Sequence, residues 1–423
     1  MIGSVTRKLK ALPYFQDLGL KIEAQWRRKN FDEETIADIA ERALRASPAH
    51  RRVTPEQVID HVLSDAEMPA PLAASTGSFG QPPVTVFRTA RFVIDVLFWF
   101  DGTTSIHSHA FSGAFQVFAG SSVHGIYDFE PDQVISSWMR AGKVQLREMQ
   151  LLRIGDTRRI LSGSRFRHSL FHLDRPSVSI VVRTIHDAAV GLQYHYDPPY
   201  FETASFVTDQ RADLRLAVLR GLRGIDPVKY AKRVIEEIGE LDLQTCFTLL
   251  RAVSADREPV LIARAFAAAR KRHGAVVDRL TEVIDETRRQ AAITGRRVHA
   301  QSAEHRFFLA LLLVAPDRRR IFELTRARFP RAKPIDTVMR WVTELSELPS
   351  PTGDHEPNAL GVTMGNAELF VLRKVLEGAT AEGLIAAMRK IYEPEEVDAN
   401  REHLLTLRES FRRFPMFQNL FIG

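Results

Sequence analysis

His107 and His109 stand two residues apart in the run Ser105-Ile106-His107-Ser108-His109. On a β-strand such residues leave the same face, with Cα atoms about 6.5–7 Å apart. That spacing lets two imidazoles converge on one ion, and neutral imidazole suits Fe, Zn, Cu and Ni. The competing reading of an isolated His-x-His is a solvent-facing pair on an exposed strand. Other candidates are weaker. His124 follows a turn at Gly120 and reads as loop or surface. Glu304-His305 has only Phe308 and Leu309 at the next helical turn, so it reads as a cap and a packed ring. The single cysteine, Cys246, lies in an apolar run and reads as a buried structural thiol. One cysteine allows no intramolecular disulfide, which suits a reducing cytoplasm.

The histidine pair lies within a strand-like stretch. Residues 84–87, 92–100, 114–118, 125–129, 144–152, 169–173 and 178–185 are rich in β-branched and aromatic residues. Turn pairs separate them, among them Asp101-Gly102, Gly120-Ser121, Gly155-Asp156 and Ser162-Gly163. Short strands at this spacing predict a barrel or sandwich over residues 84–200. Inward–outward alternation in a barrel would turn Gln116 and Tyr127 inward. Residues 1–75 read as an N-terminal helical segment, with a stripe at Ile36, Ile39, Ala40, Ala43 and Leu44. Thr54-Pro55-Glu56-Gln57 predicts a capping box at a helix start. Residues 69–83, rich in Pro, Ala, Ser and Gly, read as a linker. Residues 209–347 carry a helical period throughout. A Pro- and Gly-containing boundary then precedes a three-helix module over 359–423, with helices expected at 367–376, 381–390 and 395–411. The predicted class is α+β multidomain: a β-barrel, N-terminal helices and a large C-terminal all-α region.

Composition narrows the function. The chain of 423 residues is 45% hydrophobic and 26% charged, as soluble globular proteins are. Its 58 basic residues face 52 acidic ones, and runs such as Arg318-Arg319-Arg320 are interleaved with Glu and apolar residues. Mixed signs of this kind suit helix surfaces and argue against nucleic acid. No apolar region follows the basic start, and the apolar stretch 307–315 is far below the roughly 20 residues of a spanning helix. A cytoplasmic protein with no membrane partner is expected, and a homo-oligomer is compatible with the sequence.

Gly102, then four residues, then His-x-His, then Gly120 resembles the first motif of the cupins. The run from Ser162-Gly163 to His168 and His172 resembles their second motif, which implies a cupin β-barrel (double-stranded β-helix) with His168 as third metal ligand. Within the cupins the chain resembles the cysteine dioxygenase branch over roughly residues 84–186. The shared features are Phe98-Trp99, Asp101-Gly102, Ser-Ile-His-x-His, His168 and Val178-Ser179-Ile180. Cupins commonly place a glutamate four or five residues after the second histidine; here those positions are Gly113 and Ala114. The resemblance therefore implies a three-histidine centre for Fe(II), or another divalent transition metal, with O2 as co-substrate. It also implies roles for Ser179, matching the serine of the branch's Ser-His-Tyr group, and for Arg88, loosely matching its carboxylate-holding arginine. The histidine and tyrosine of that group correspond to Val181 and Arg183, and the cross-linked cysteine to Ala114. Arg183 is a second candidate for holding an anion. His172 takes the place of an asparagine. It lies about 13 Å along the strand from His168, which suits a supporting role better than a shared ion.

Three neutral imidazoles leave the full +2 on a divalent ion, which favours a thiolate, carboxylate or enolate. The expected function is a non-haem Fe(II) oxygenase acting on a small anionic, amino-acid-derived or peptide substrate other than free cysteine. The alternatives are a tailoring oxygenase for a larger substrate and a non-catalytic metal-binding sensor with a partner-binding helical tail.

Overall fold

The computed structural model describes all residues except 1–10, 65–68, 70–79, 101–102, 188, 206–209, 256–257, 352, 354–355 and 423. The Asp101-Gly102 turn and most of the expected linker lie outside the described residues. The chain divides into two compact units, residues 1–148 with 152–288, and residues 289–423 with 149–151. The class is α+β, as expected: a β region that includes a closed barrel, N-terminal helices and a long all-α region.

Eleven strands among the described residues form two antiparallel sheets. The strands of the first are β1 (Pro83–Arg88), β2 (Phe92–Trp99), β4 (Gly113–Ala119), β7 (Thr157–Ile160) and β9 (Ser177–Thr184), in the order β1-β2-β9-β4-β7. The second comprises β3 (Thr103–His109), β5 (Ser122–Val134), β6 (Met139–Leu152), β8 (Gly163–His172), β10 (Tyr194–Asp197) and β11 (Phe201–Ala204). It closes on itself in the order β10-β11-β6-β5-β8-β3.

All eight residues of β2 are buried because both of its faces are covered. Phe92, Ile94, Val96 and Phe98 pack outward against α1 (Ala11–Arg27) and α2 (Glu33–Ala46), on Phe15, Ile22, Trp26 and Ile36. Each such side chain contributes about 1.5–3 kcal/mol by leaving water. Leu97 and Trp99 point the other way, into the space between the sheets, with Phe115, Val117 and Val181 of the same sheet and Phe166 and Leu170 of β8. The lumen of the closed six-stranded barrel is a separate space. It holds Ile106, Phe129 and Tyr196, with Tyr127, Val144 and Tyr194 against them. Arg140 and Glu202 pair there at 2.5 Å.

The capping box at Thr54 and Gln57 is present and opens α3 (Pro55–Val62). On the far side of the β region, Met139, Ala141 and Phe201 pack on a helical layer. That layer comprises α4 (Gln210–Ile225), α5 (Pro227–Glu240), α6 (Leu243–Ala255), α7 (Pro259–His273) and the start of α8 (Val276–His299). Cys246 lies within it, fully buried, and burial pushes its thiol up to about 12. The thiol is inert packing at neutral pH.

The second unit is helical and centres on α9 (Ala303–Val314), which is apolar on nearly every side and buried from Phe307 to Leu313. The last carbonyls of α9 are met by Arg289, which donates to Leu312 at 2.8 Å, and by Asn419, which donates to Ala315 at 2.7 Å. His305 is a packed ring paired with Glu344 at 2.7 Å. The helix expected over 395–411 is two, Pro394–Ala399 and Arg401–Arg413. Asn400 separates them: its side chain donates to Glu396 O, and its backbone leaves the helical region. Among the described residues no helix is long and apolar enough to cross a membrane.

Candidate metal centre

β3 and β8 run antiparallel with His107 opposite His168. Register irregularities on either side of His107 bend β3 locally, as bulges beside functional sites commonly do. The fold gathers His107, His109 and His168, with one ligand-capable nitrogen of each within 4.8 Å of the others. His109 Nε2 and His168 Nε2 are 2.9 Å apart. Two nitrogens each about 2.1 Å from one ion, at the angles of tetrahedral or octahedral sites, lie about 3.0–3.4 Å apart. The histidine pair thus has the spacing of adjacent ligands. His107 Nδ1 is 2.7 Å from Ser105 O. A proton on that nitrogen donates to the carbonyl and leaves Nε2 with a free lone pair.

The histidines face the five-stranded sheet, not the lumen of the closed barrel. His168 lies 6.0 Å from the Phe115 ring of β4 and 4.6 Å from Phe166. All three imidazoles are at least 92% buried, with exposures of 8%, 3% and 4%. Burial pushes His107 below the usual histidine range, and His109 and His168 well below it. Charge repulsion adds to the effect, from neighbouring imidazoles at His109 and His168, from the Arg183 guanidinium at His109 and from His195 at His107. They are therefore neutral at physiological pH, the state that binds a metal.

No carboxylate can enter from β4. At Gly113 a Cβ would sit 1.9 Å from Val182 O, so no side chain fits there. Ala114 faces the N-terminal helices within their core. The β4 side chain that does reach the histidines is Phe115, an apolar ring.

The remaining candidates separate clearly. Arg183 points inward beside His109, with its Nε 2.9 Å from Asp95 Oδ2 and its guanidinium 5.3 Å from the centre of the Phe111 ring. Asp95 also accepts from Thr85 Oγ1 at 2.7 Å. Ser179 faces inward one layer away, where its hydroxyl accepts from Trp99 Nε1 at 3.2 Å. Trp99 in turn stacks on His172 at 4.4 Å, and His172 Nδ1 meets Ser122 Oγ at 3.2 Å. His172 is outside the three-histidine cluster. Arg88 sits exposed at the end of the edge strand β1.

Two expectations are corrected, those for Gln116 and His124. Gln116 points out of the space between the sheets, where it accepts from Ala49 N and donates to Leu44 O. Tyr127 does point into the closed barrel, the direction expected of it, and lies 3.3 Å from Ser169 Oγ. His124 is neither loop nor surface. It is fully buried on β5, with Nε2 3.1 Å from His168 Nδ1, and burial pulls it down to about 3.

These four histidines set a pH dependence. Each titrates near 6.5 in the unfolded chain and lower when folded. Below 6.5 the unfolded state takes up protons that the folded state does not, so their full stability is present above 6.5 and is lost as pH falls. The slope is at most about 1.4 kcal/mol per histidine per pH unit. Urea midpoints of the metal-free protein should fall steeply below pH 6.5, and His124→Phe should flatten that fall. A flat profile would show that the rings are not held neutral.

No protein-family model matches the chain, and no curated protein matches it. Solved structures match in part. Hydroquinone 1,2-dioxygenase from Sphingomonas sp. TTNP3 is 12% identical over 28% of this chain and 78% of its own, with a TM-score of 0.20. DMSP lyase DddQ from Ruegeria pomeroyi DSS-3 is 16% identical over 44% of this chain and 98% of its own, with a TM-score of 0.24. An oxalate oxidase is 15% identical over 38% and 75%, with a TM-score of 0.20. Likeness at this level carries nothing about substrate or reaction.

Proposed function

We propose that this chain is a non-haem, Fe(II)-dependent oxygenase that takes O2 and a small anionic, chelating substrate at His107, His109 and His168. The observation that carries the reading is the three buried, neutral imidazoles, gathered with no carboxylate in the cluster among the described residues. A divalent iron bound there supplies Lewis acidity and one-electron chemistry towards O2. The protein's part is to bind, orient and exclude water. Three neutral ligands leave the bound charge uncompensated, which favours an anionic substrate group. Phe111, Phe115 and Phe166 surround the site with apolar surface, where charge interactions strengthen. Arg183 is tethered to Asp95 through Nε, and its terminal nitrogens hold a substrate carboxylate beside His109. Free cysteine does not suit this pocket. Val181 and Arg183 stand where thiol dioxygenases carry histidine and tyrosine, and Ser179 is engaged by Trp99.

The test is oxygen uptake by the iron-loaded full chain, screened against thiols, amino acids and keto acids. The reading requires substrate-dependent uptake that is absent in His168→Ala. Arg183→Gln, which keeps a donor for Asp95, should raise KM for a carboxylate substrate about 10- to 100-fold, as expected for a lost charged hydrogen bond of about 1.5–3 kcal/mol. Stoichiometric metal with no uptake on any member of the panel would favour the sensor reading instead.

A further inference from the structure

His124 has no role in the three-histidine site as such, yet the fold aims it at one member. On β5 it sits beside β8, where Ile126 is the strand partner of His168 and His124 the partner of Leu170. The imidazole is edge-on to Phe115, with ring centres 5.6 Å apart at 75°, and 6.0 Å from Phe166. The ring therefore has one defined direction, with Nε2 3.1 Å from His168 Nδ1. His168 turns its other nitrogen, Nε2, to His109.

We propose that His124 is a positioning residue for the metal centre, accepting the Nδ1–H of His168 on its own Nε2. The inference rests on the metal reading above and deepens it. If His168 presents a lone pair at Nε2, its proton must reside on Nδ1, and the only group at hydrogen-bond distance from that nitrogen among the described residues is His124 Nε2. His124 must then carry its own proton on Nδ1, which has no hydrogen-bond partner among the described residues. An unmet buried donor is a penalty that packing alone does not explain. It is explained if the acceptor at Nε2 is what the position provides.

The identity of the acceptor matters. Ligand histidines commonly donate to a carboxylate or a carbonyl, as His107 does to Ser105 O. A carboxylate would add negative charge behind the ligand and increase its basicity. A neutral imidazole fixes the tautomer and the ring plane without adding charge, in keeping with the absence of carboxylates at Gly113 and Ala114.

The probe is Co(II), titrated into the full chain against a competing chelator, with its visible ligand-field bands recorded. His124→Phe keeps a ring between Phe115 and Phe166 but removes the acceptor. It should weaken Co(II) about 10- to 100-fold and shift the bands, while thermal unfolding of the metal-free protein confirms that it is folded. His124→Gln places an amide oxygen near the lost Nε2 and should recover most of the affinity and the native bands. Wild-type affinity and bands in His124→Phe would overturn the inference. So would a His124→Gln as weak as His124→Phe, since that would show a purely packing role. If the wild-type chain binds no stoichiometric Co(II), the metal reading itself fails, which is a distinct result.

Discussion

His168→Ala should lower the affinity for a divalent transition metal by well over the roughly 100-fold that loss of an outer partner costs. The reason is local. Of the three clustered histidines only His168 comes from β8, so its removal leaves His107 and His109 as an open two-nitrogen site. It also strands His124 Nε2, whose partner is His168 Nδ1. His172→Ala is the internal comparison. That ring lies on the same strand face, but it stacks on Trp99 and takes no part in the cluster. It should cost stability through lost packing and leave metal affinity unchanged. Chelator competition with both variants reads the difference directly. Equal affinities in the two variants would remove His168 from the centre.

Asp95→Ala should destabilise the protein by about 3–5 kcal/mol, the usual cost of leaving a buried charge unpaired. Asp95 is 4% exposed and Arg183 15%, so neither charge is well hydrated. The Thr85 hydroxyl also loses the acceptor it donates to. Replacing both Asp95 and Arg183 with apolar residues of similar volume should cost much less, because no charge is then left unpaired. The two variants differ further in what they leave beside His109. The single change keeps the guanidinium there, and the double change removes it. Urea denaturation of the metal-free protein measures the stability difference. A single variant no worse than the double would mean that the pair is solvated in solution.

Much of the β region was legible because its signals are local. His-x-His, the β-branched run of β9 and the turn glycines are all read within a few residues. The missing carboxylate was also legible at Gly113 and Ala114, and the fold adds the reason. β9 approaches too closely for any side chain at 113, and 114 faces the helices. The facing of Gln116 and His124 was not legible. β4 and β5 are covered on both sides along these stretches, so no alternation of polar and apolar residues marks the inner face. β10 and β11 were missed for another reason. Each is four residues long, and they are strands because β10 pairs with β3, His195 opposite His107, across most of the β region. No local pattern encodes such a partner. β7, with the sequence Thr-Arg-Arg-Ile, is likewise a strand through its pairing with β4.

The most direct test of the centre is X-ray absorption at the metal edge of the full chain, purified from iron-rich medium and quantified for metal per chain. Close to one iron per chain is expected, with a first shell containing three imidazole nitrogens at about 2.1 Å and no sulfur. That signal should be lost when His107 and His109 are both alanine. A shell of oxygen or sulfur alone, or full metal content in the double variant, would contradict the three-histidine centre.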